Sequence, residues 1–361
     1  MILEGVSVVD MSDHLSGLLA SQVLRDWGAR VVHLEPAGGG AVARGTGSFR
    51  LTGDDELRAT LFALLTDGKR TIELGPEQGV ADAQIRALLE DADIVLAGNR
   101  SDADAVAAIN PSAVITVPAD FPAGSRYSSW VGSEMIHQAL SGAMFTTGSA
   151  ERQPLFGLGH RAYHAAGWTA VISIMGAMLA REHSGQGQVV EVSVYESCAA
   201  MAQNLVTQYS YSGTWPTRLR YDGMVSTIRC QDGWVVLFAY LHWPTICRAF
   251  DVLHLVDDPR FQDIESRARN WDELAGLLQD AAHDLNCDRI VEIAQQGKVA
   301  VSKVNTLEDI VGRPYYEERL WVSAPSGSRP EIPRLQPAFF IEDLDPPQDA
   351  EPVSPGGGAL R

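Results

Sequence analysis

Between Gly157 and Val171 the chain reads GLGHRAYHAAGWTAV. His160, Arg161, Tyr163 and His164 crowd together just before an apolar run. Imidazoles exchange protons near neutral pH. The cluster therefore reads either as a centre for proton transfer or as the polar mouth of a buried helix. A second pair lies upstream. Glu134 and His137 are spaced i and i+3, so on a helix they share a face. An acid beside a His is a proton-transfer pair. The plainer reading is a solvated helix face.

The elements around these residues follow from periodicity. The N-terminal part alternates strand and helix. VSVVDM, RVVHLE, KRTIEL, ADIVLAG and AVITVP are short β-branched runs, beginning at Val6, Arg30, Lys69, Ala92 and Ala113. Helical spacing covers Leu18 to Trp27, ending at Gly28, and Val80 to Asp91. This alternation predicts an α/β fold with a parallel, doubly wound sheet. The run from Ala165 to Glu182 is apolar on all sides and predicts a central helix. After Arg220 the texture changes. STIRCQDGWVVLFAY predicts a hairpin around Asp232-Gly233, with helices over 243–250, 270–286 and 288–296. This is a smaller α+β unit. The expected domains are 1–210 with 305–345, and 215–304. The Pro-, Gly- and acid-rich tail from 346 to 361 reads as disordered.

Composition narrows the class. A net charge of −18 argues against a nucleic-acid partner, because that binding needs Lys and Arg against phosphates. It does not exclude a small anion. The longest apolar stretch is broken by Gly167, Thr169, Ser173 and Gly176, so a buried helix is expected and no membrane span. The start MILEGVSVVDMS lacks a basic n-region followed by an apolar h-region. The four cysteines are scattered without CxxC spacing, which predicts neither disulfides nor a metal site. A cytoplasmic location is the expectation. Gly38-Gly39-Gly40 opens no helix pattern and reads as a loop, not a dinucleotide fingerprint.

Several stretches in order resemble one family. LEGVSVVDMS, LRDWGARVVHLEP, AVARG, LLTDGKRTIEL, DADIVLAGN, QALSGAMFTTG and REHSGQGQVVEVSVYES are similar to class III CoA-transferases. That group includes formyl-CoA and carnitine CoA-transferases and α-methylacyl-CoA racemase. Later, the DG hairpin, DDPRF and RPYYEERL fit the family's small domain. The resemblance covers the chain to about residue 340. It implies an interlocked homodimer of a Rossmann-like large domain and a small domain, with the CoA thioester between them. Coenzyme A or an acyl-CoA would be a substrate, with no tightly bound cofactor.

The resemblance also assigns roles. In the transferases an Asp carboxylate attacks the thioester and forms a mixed anhydride. Counting forward from Thr146-Thr147-Gly148, or back from Gly167, its position here is Tyr163. A phenol with a pKa near ~10 is mostly neutral and a weak nucleophile. In sequence the nearest carboxylates, Glu151 and Glu182, lie outside the motif. The racemase branch's His–Asp pair aligns with Ser133 and Glu134, which leaves Glu134 with His137 as the substitute pair. Lys69 and Arg70 occupy a basic position that resembles a nucleotide-phosphate contact. His14, Ser16 and Gly17 stand where the first βα loop would meet the pantetheine arm, and Gly98 and Asn99 stand at an Asn motif. The catalytic candidates are Tyr163, His164, His160, Glu134 and His137. The expected chemistry is proton transfer on an acyl thioester, of isomerase, epimerase, dehydratase or cyclase type. Two alternatives stay open: an accessory subunit without catalysis, and CoA transfer through a different nucleophile.

Overall fold

The computed structural model describes residues 1–40, 48, 55–75, 78–148, 152–214, 225–239, 241–311, 321–322 and 334–335. The expected disordered tail at 346–361 lies outside the described residues. Backbone contacts divide the chain into two units. The first takes Met1–Gly148 and Arg152–Thr217, joined by the chain from Leu320 onward. The second takes Ser149–Glu151 and Arg218–Arg319.

The first unit is an α/β layer structure. Its elements run β1 (Ser7–Asp10), α1 (Leu15–Asp26), β2 (Arg30–Glu35), α2 (Asp55–Thr66), β3 (Arg70–Glu73), α3 (Ala83–Glu90), β4 (Ile94–Leu96), α4 (Arg100–Ile109) and β5 (Val114–Ala119). Then come α5 (Glu134–Leu140), α6 (Arg161–Ser184), β6 (Gln188–Ser193), α7 (Val194–Met201) and α8 (Gln203–Ser212). The six strands form one parallel sheet in the order β3-β2-β1-β4-β5-β6. The order reverses between β1 and β4. Ligands of such sheets bind at the carboxyl ends of the strands near that reversal. Burial on both faces explains why β4 is wholly apolar and β5 apolar except for the buried Thr116, with no alternation.

Helix α6 is the element that matters most. It is long and apolar enough to cross a membrane by length and composition alone. Here it packs on α1, and Ala162, Tyr163, Ala166, Ala170 and Ile174 are buried in the same core as α1 and β1. Gly167 permits the close approach. A Cβ there would stand 3.0 Å from Leu19 Cβ and 3.3 Å from the Ser16 carbonyl oxygen. The contact draws the first turn of α6 down onto the loop before α1. Gly185, at φ 68°, ends the helix in the left-handed conformation that glycine adopts without strain.

The second unit is α+β. Strands β7 (Val225–Cys230) and β8 (Gly233–Phe238) form the expected hairpin, and β9 (Val301–Lys303) adds an antiparallel third strand. Helices α9 (Trp243–Ala249), α10 (Ile264–Arg269), α11 (Trp271–Ala282) and α12 (Cys287–Gln296) cover it, followed by the short α13 (Leu307–Val311). Val235, Leu237, Ile246, Phe250, Leu274 and Ile290 fill its own core.

Candidate active site

The site assembles at the carboxyl ends of β1 and β5. As the last residue of β1, Asp10 accepts hydrogen bonds from the Ser12 amide and hydroxyl, at 3.0 and 2.7 Å, and so turns the chain sharply out of the strand. Gly17 must be glycine for this turn to pack, because a Cβ would fall 2.1 Å from Ser12 Oγ. His14 precedes α1, and its Nδ1 bonds Ser16 Oγ at 2.7 Å. That bond turns Nε2 toward the end of β5.

Asp120 waits there, one residue past β5. Its backbone carbonyl accepts from the Tyr195 amide at 3.1 Å, which pins it to the start of α7. Three side chains converge on its Oδ1: His137 Nε2 at 3.0 Å, Tyr163 Oη at 3.2 Å and His14 Nε2 at 3.4 Å. The Tyr163 ring is packed edge-on against His14 and His137, with centroids 5.5 and 5.6 Å away. Phe121 stacks obliquely on His137 at 5.1 Å and holds that ring in place. Burial pushes the Asp120 carboxyl up, but hydrogen bonds from His137 and His14 overcome this. They hold it well below the usual carboxylate range. At neutral pH the group is a carboxylate.

The sequence pair of Glu134 and His137 separates in space. His137 turns to Asp120, and its acid partner is not Glu134. Glu134 is buried and accepts the Ala162 amide at 2.9 Å and Gln138 Nε2 at 2.6 Å. It thus caps the N-terminus of α6, where a negative charge meets exposed N–H groups and the positive end of the helix dipole. Gln138 completes the clamp by exchanging two 2.8 Å bonds with the backbone of Gly157. The residue at the N-cap position, His160, makes no side-chain cap of its own. It sits at φ 54°, a left-handed conformation uncommon for a residue with a Cβ. Burial pushes its imidazole pKa down, against an opposing pull from Glu134. Its ring lies 6.3 Å from that of Tyr163. His164, the residue after Tyr163, is exposed on α6, yet lies close enough to His160 and Glu134 to feel both charges.

The expected phosphate contacts also divide. Lys69 is enclosed, and its Nζ donates to Ser21 Oγ at 2.6 Å and to the Leu18 carbonyl at 3.0 Å. Asp10 Oδ2 lies 3.6 Å from that ammonium and accepts a very short bond from Ser21. Burial pushes Lys69 down to about 8 against the pull of Asp10. A buried ammonium needs a counter-charge more than a ligand, so Lys69 is a structural ion and not a phosphate contact. Arg70 is exposed at the start of β3. Asn99 caps α4 through the Asp102 amide at 3.0 Å. Gly98 stays bare because a Cβ would lie 3.1 Å from the Met11 carbonyl.

The sequence alone overlooked Asp120. The signal available was a lone acid directly after a β-branched run, at the carboxyl end of an expected parallel strand. It also overlooked Gly132. A Cβ there would lie 2.4 Å from Asp120 Cγ and 2.6 Å from His137 Nε2. Among the described residues no cluster of His, Cys, Asp and Glu has the form of a metal site.

The sequence profile of CoA-transferase family III matches residues 3–354. The chain belongs to that family. Among characterised relatives, this CoA-transferase family III chain is 28% identical to succinyl-CoA:mesaconate CoA-transferase of Haloarcula hispanica, over 88% of this chain and 84% of the relative. It is 26% identical to a probable fatty acyl-CoA transferase of Mycobacterium tuberculosis, over 88% and 86% respectively. The crystal structure of a CaiB/BaiF family protein from Brucella suis superposes with a TM-score of 0.83 at 24% identity, covering 95% of this chain and 93% of that one. The family assignment agrees with the six-strand parallel sheet. At the site itself, the 3.2 Å hydrogen bond from Tyr163 Oη brings the Asp120 carboxylate to the phenol.

Proposed function

We propose that this protein transfers coenzyme A from an acyl thioester to a free carboxylic acid. The reaction centre is the cluster of His14, Asp120, His137 and Tyr163. The observation that carries the reading is the ionised, partly exposed Asp120 carboxylate at the carboxyl edge of a family III sheet. The similarity to succinyl-CoA:mesaconate CoA-transferase supports it. Acyl exchange between a thioester and a carboxylate needs a carboxylate-level acceptor, and Tyr163 alone is a poor one. Arg70 would meet the nucleotide phosphates, and Ser16 and Gly17 would lie along the pantetheine arm. Purified protein incubated with acetyl-CoA or succinyl-CoA and a panel of carboxylic acids is expected to yield new acyl-CoA species by mass spectrometry. Hydrolysis alone, or no turnover with any pair, would contradict the reading.

A second reading rests on the 3.0 Å bond between His137 and Asp120. A His oriented by a carboxylate can move the α-proton of a thioester. Deuterium uptake at the α-carbon without CoA exchange would favour it. Turnover by the isolated chain would exclude a purely accessory role.

The protein is also proposed to act in the cytoplasm as a homodimer. Trp168, Ile172 and Leu179 form an exposed apolar stripe on α6, continued by Met201, Val206 and Tyr209 on α7 and α8. Light scattering at micromolar concentration should report twice the 39.1 kDa chain mass.

A further inference from the structure

The side chains of Asp10 and Lys69 are fully buried, 3.6 Å apart, and neither belongs to the reaction centre. Resting on the transfer reading above, we propose that this ion pair positions His14 in that centre, by fixing the turn between β1 and α1.

A buried ion pair is a weak source of stability, because desolvation offsets much of the attraction. What it can fix is geometry. Each member of this pair holds a different element. Asp10 closes β1, and its Oδ1 accepts both the amide and the hydroxyl of Ser12. Lys69 comes from the residue before β3, and its Nζ donates to the Leu18 carbonyl and to Ser21 Oγ on α1. Ser21 in turn donates to Asp10 Oδ2. His33 Nδ1, on the neighbouring strand β2, lies 3.7 Å from the same oxygen. The end of the strand and the body of the helix are thus tied together on both sides of the turn that carries His14. Ser12 adds a steric stop. A Cβ on Gly17 would fall 2.1 Å from its hydroxyl, so the turn and the first residues of α1 meet without a gap.

His14 is the member of the centre most sensitive to this frame. Its Nε2 reaches Asp120 Oδ1 at 3.4 Å, against 3.0 Å for His137 and 3.2 Å for Tyr163. Side-chain contacts beyond about 3.5 Å are no longer hydrogen bonds, so a shift of about half an ångström ends this one. The 2.7 Å bond from Nδ1 to Ser16 Oγ fixes the ring relative to α1 alone. Any movement of α1 against β1 therefore carries the imidazole with it. His137 and Tyr163 stand on α5 and α6, outside the turn. Asp10 and Lys69 are positioning residues: both are enclosed, and they act through Ser12, Gly17 and the start of α1.

The test uses full-length Lys69→Met and Ser12→Ala, each alone and combined with His14→Ala, at a temperature where circular dichroism shows every variant folded. Acetyl-CoA is the donor and the panel of carboxylic acids supplies the acceptor. Lys69→Met should lower kcat by ~10–100-fold and Ser12→Ala by ~3–10-fold, each with KM for acetyl-CoA within about twofold. In the His14→Ala background the same two changes should cost less than about twofold, because the group they position is gone. A merely structural role would give the same loss in both backgrounds. A crystal structure of Ser12→Ala should place His14 Nε2 more than about 4 Å from Asp120 Oδ1, with the His137 contact kept. If Lys69→Met fails to fold, Ser12→Ala carries the test. Losses that add in the His14→Ala background, wild-type kcat in Ser12→Ala, or an unmoved His14 overturn the positioning role. Wild-type protein that transfers CoA to none of the acids overturns the transfer reading instead, and the crystal structure still decides what holds His14.

Discussion

Tyr163 Oη and Asp120 Oδ1 stand 3.2 Å apart, although 43 positions separate the two residues in the chain. One comes from the first turn of α6 and the other from the end of β5. A helix position that carries a phenol is thereby supplied with a carboxylate from the sheet. If Tyr163 positions and stabilises that carboxylate, Tyr163→Phe removes one charge-assisted hydrogen bond of ~1.5–3 kcal/mol. CoA transfer should fall by ~10–100-fold in kcat, with little change in KM. Wild-type kcat in the variant would contradict the role.

Lys69 and Arg70 are adjacent, yet the structure gives them opposite consequences. Lys69→Met leaves the Asp10 carboxylate buried without its cation, and should cost ~3–5 kcal/mol of stability. Arg70→Ala touches an exposed side chain and should stay within ~0.5 kcal/mol. Urea titrations separate the two. Isothermal titration with acetyl-CoA should then show the affinity loss in Arg70→Ala. Unchanged stability in Lys69→Met would show that its ammonium is not the buried counter-ion.

Acid should unfold the first unit in a predictable window. The Asp10 and Asp120 carboxyls both titrate below 3.8 in the folded protein. A depressed carboxyl contributes stability that is complete above the unfolded value and lost as pH falls below it. The unfolded chain takes the protons first. Each group contributes a slope of up to ~1.4 kcal/mol per pH unit below about pH 4. Denaturant midpoints measured from pH 6 to 2.5 should therefore fall steeply below about 4, and less steeply in Asp120→Asn. An identical slope in both proteins would contradict the assignment of Asp120.

Glu134 is expected to act on the helix, not on the substrate. Glu134→Ala frees the Ala162 amide and one Gln138 bond, and should lower stability by ~1–2 kcal/mol. Glu134→Gln keeps an acceptor for Ala162 and should recover most of that loss. Chemical denaturation of the three proteins checks the order. Full stability in Glu134→Ala would remove the capping role.

Much of this molecule was legible in its residue pattern. β-Branched runs separated by helical spacing specify a parallel sheet, and Asp232-Gly233 marks the hairpin of the second unit. The apolar run after Tyr163 is the expected helix, but it is buried only on the face toward α1 and leaves Trp168, Ile172 and Leu179 exposed. The site was half legible. His14, His137 and Tyr163 do converge, but around an acid that no local motif announces. Spacing on one helix shows that Glu134 and His137 share a side; it does not show that α6 claims the first and β5 the second. Lys69 is similar. A basic residue opening a strand looks exposed until the turn after β1 places Asp10 beneath it. Convergence of this kind is set by the crossing of α1 and α6 at Gly167, which is a tertiary fact.

The most direct test of the account is a crystal structure of the Asp120→Asn protein soaked with acetyl-CoA. The account predicts the thioester carbonyl carbon about 3–3.5 Å from the side chain at position 120, with the Tyr163 hydroxyl beside it. A thioester group bound well away from residues 14, 120, 137 and 163 would contradict it.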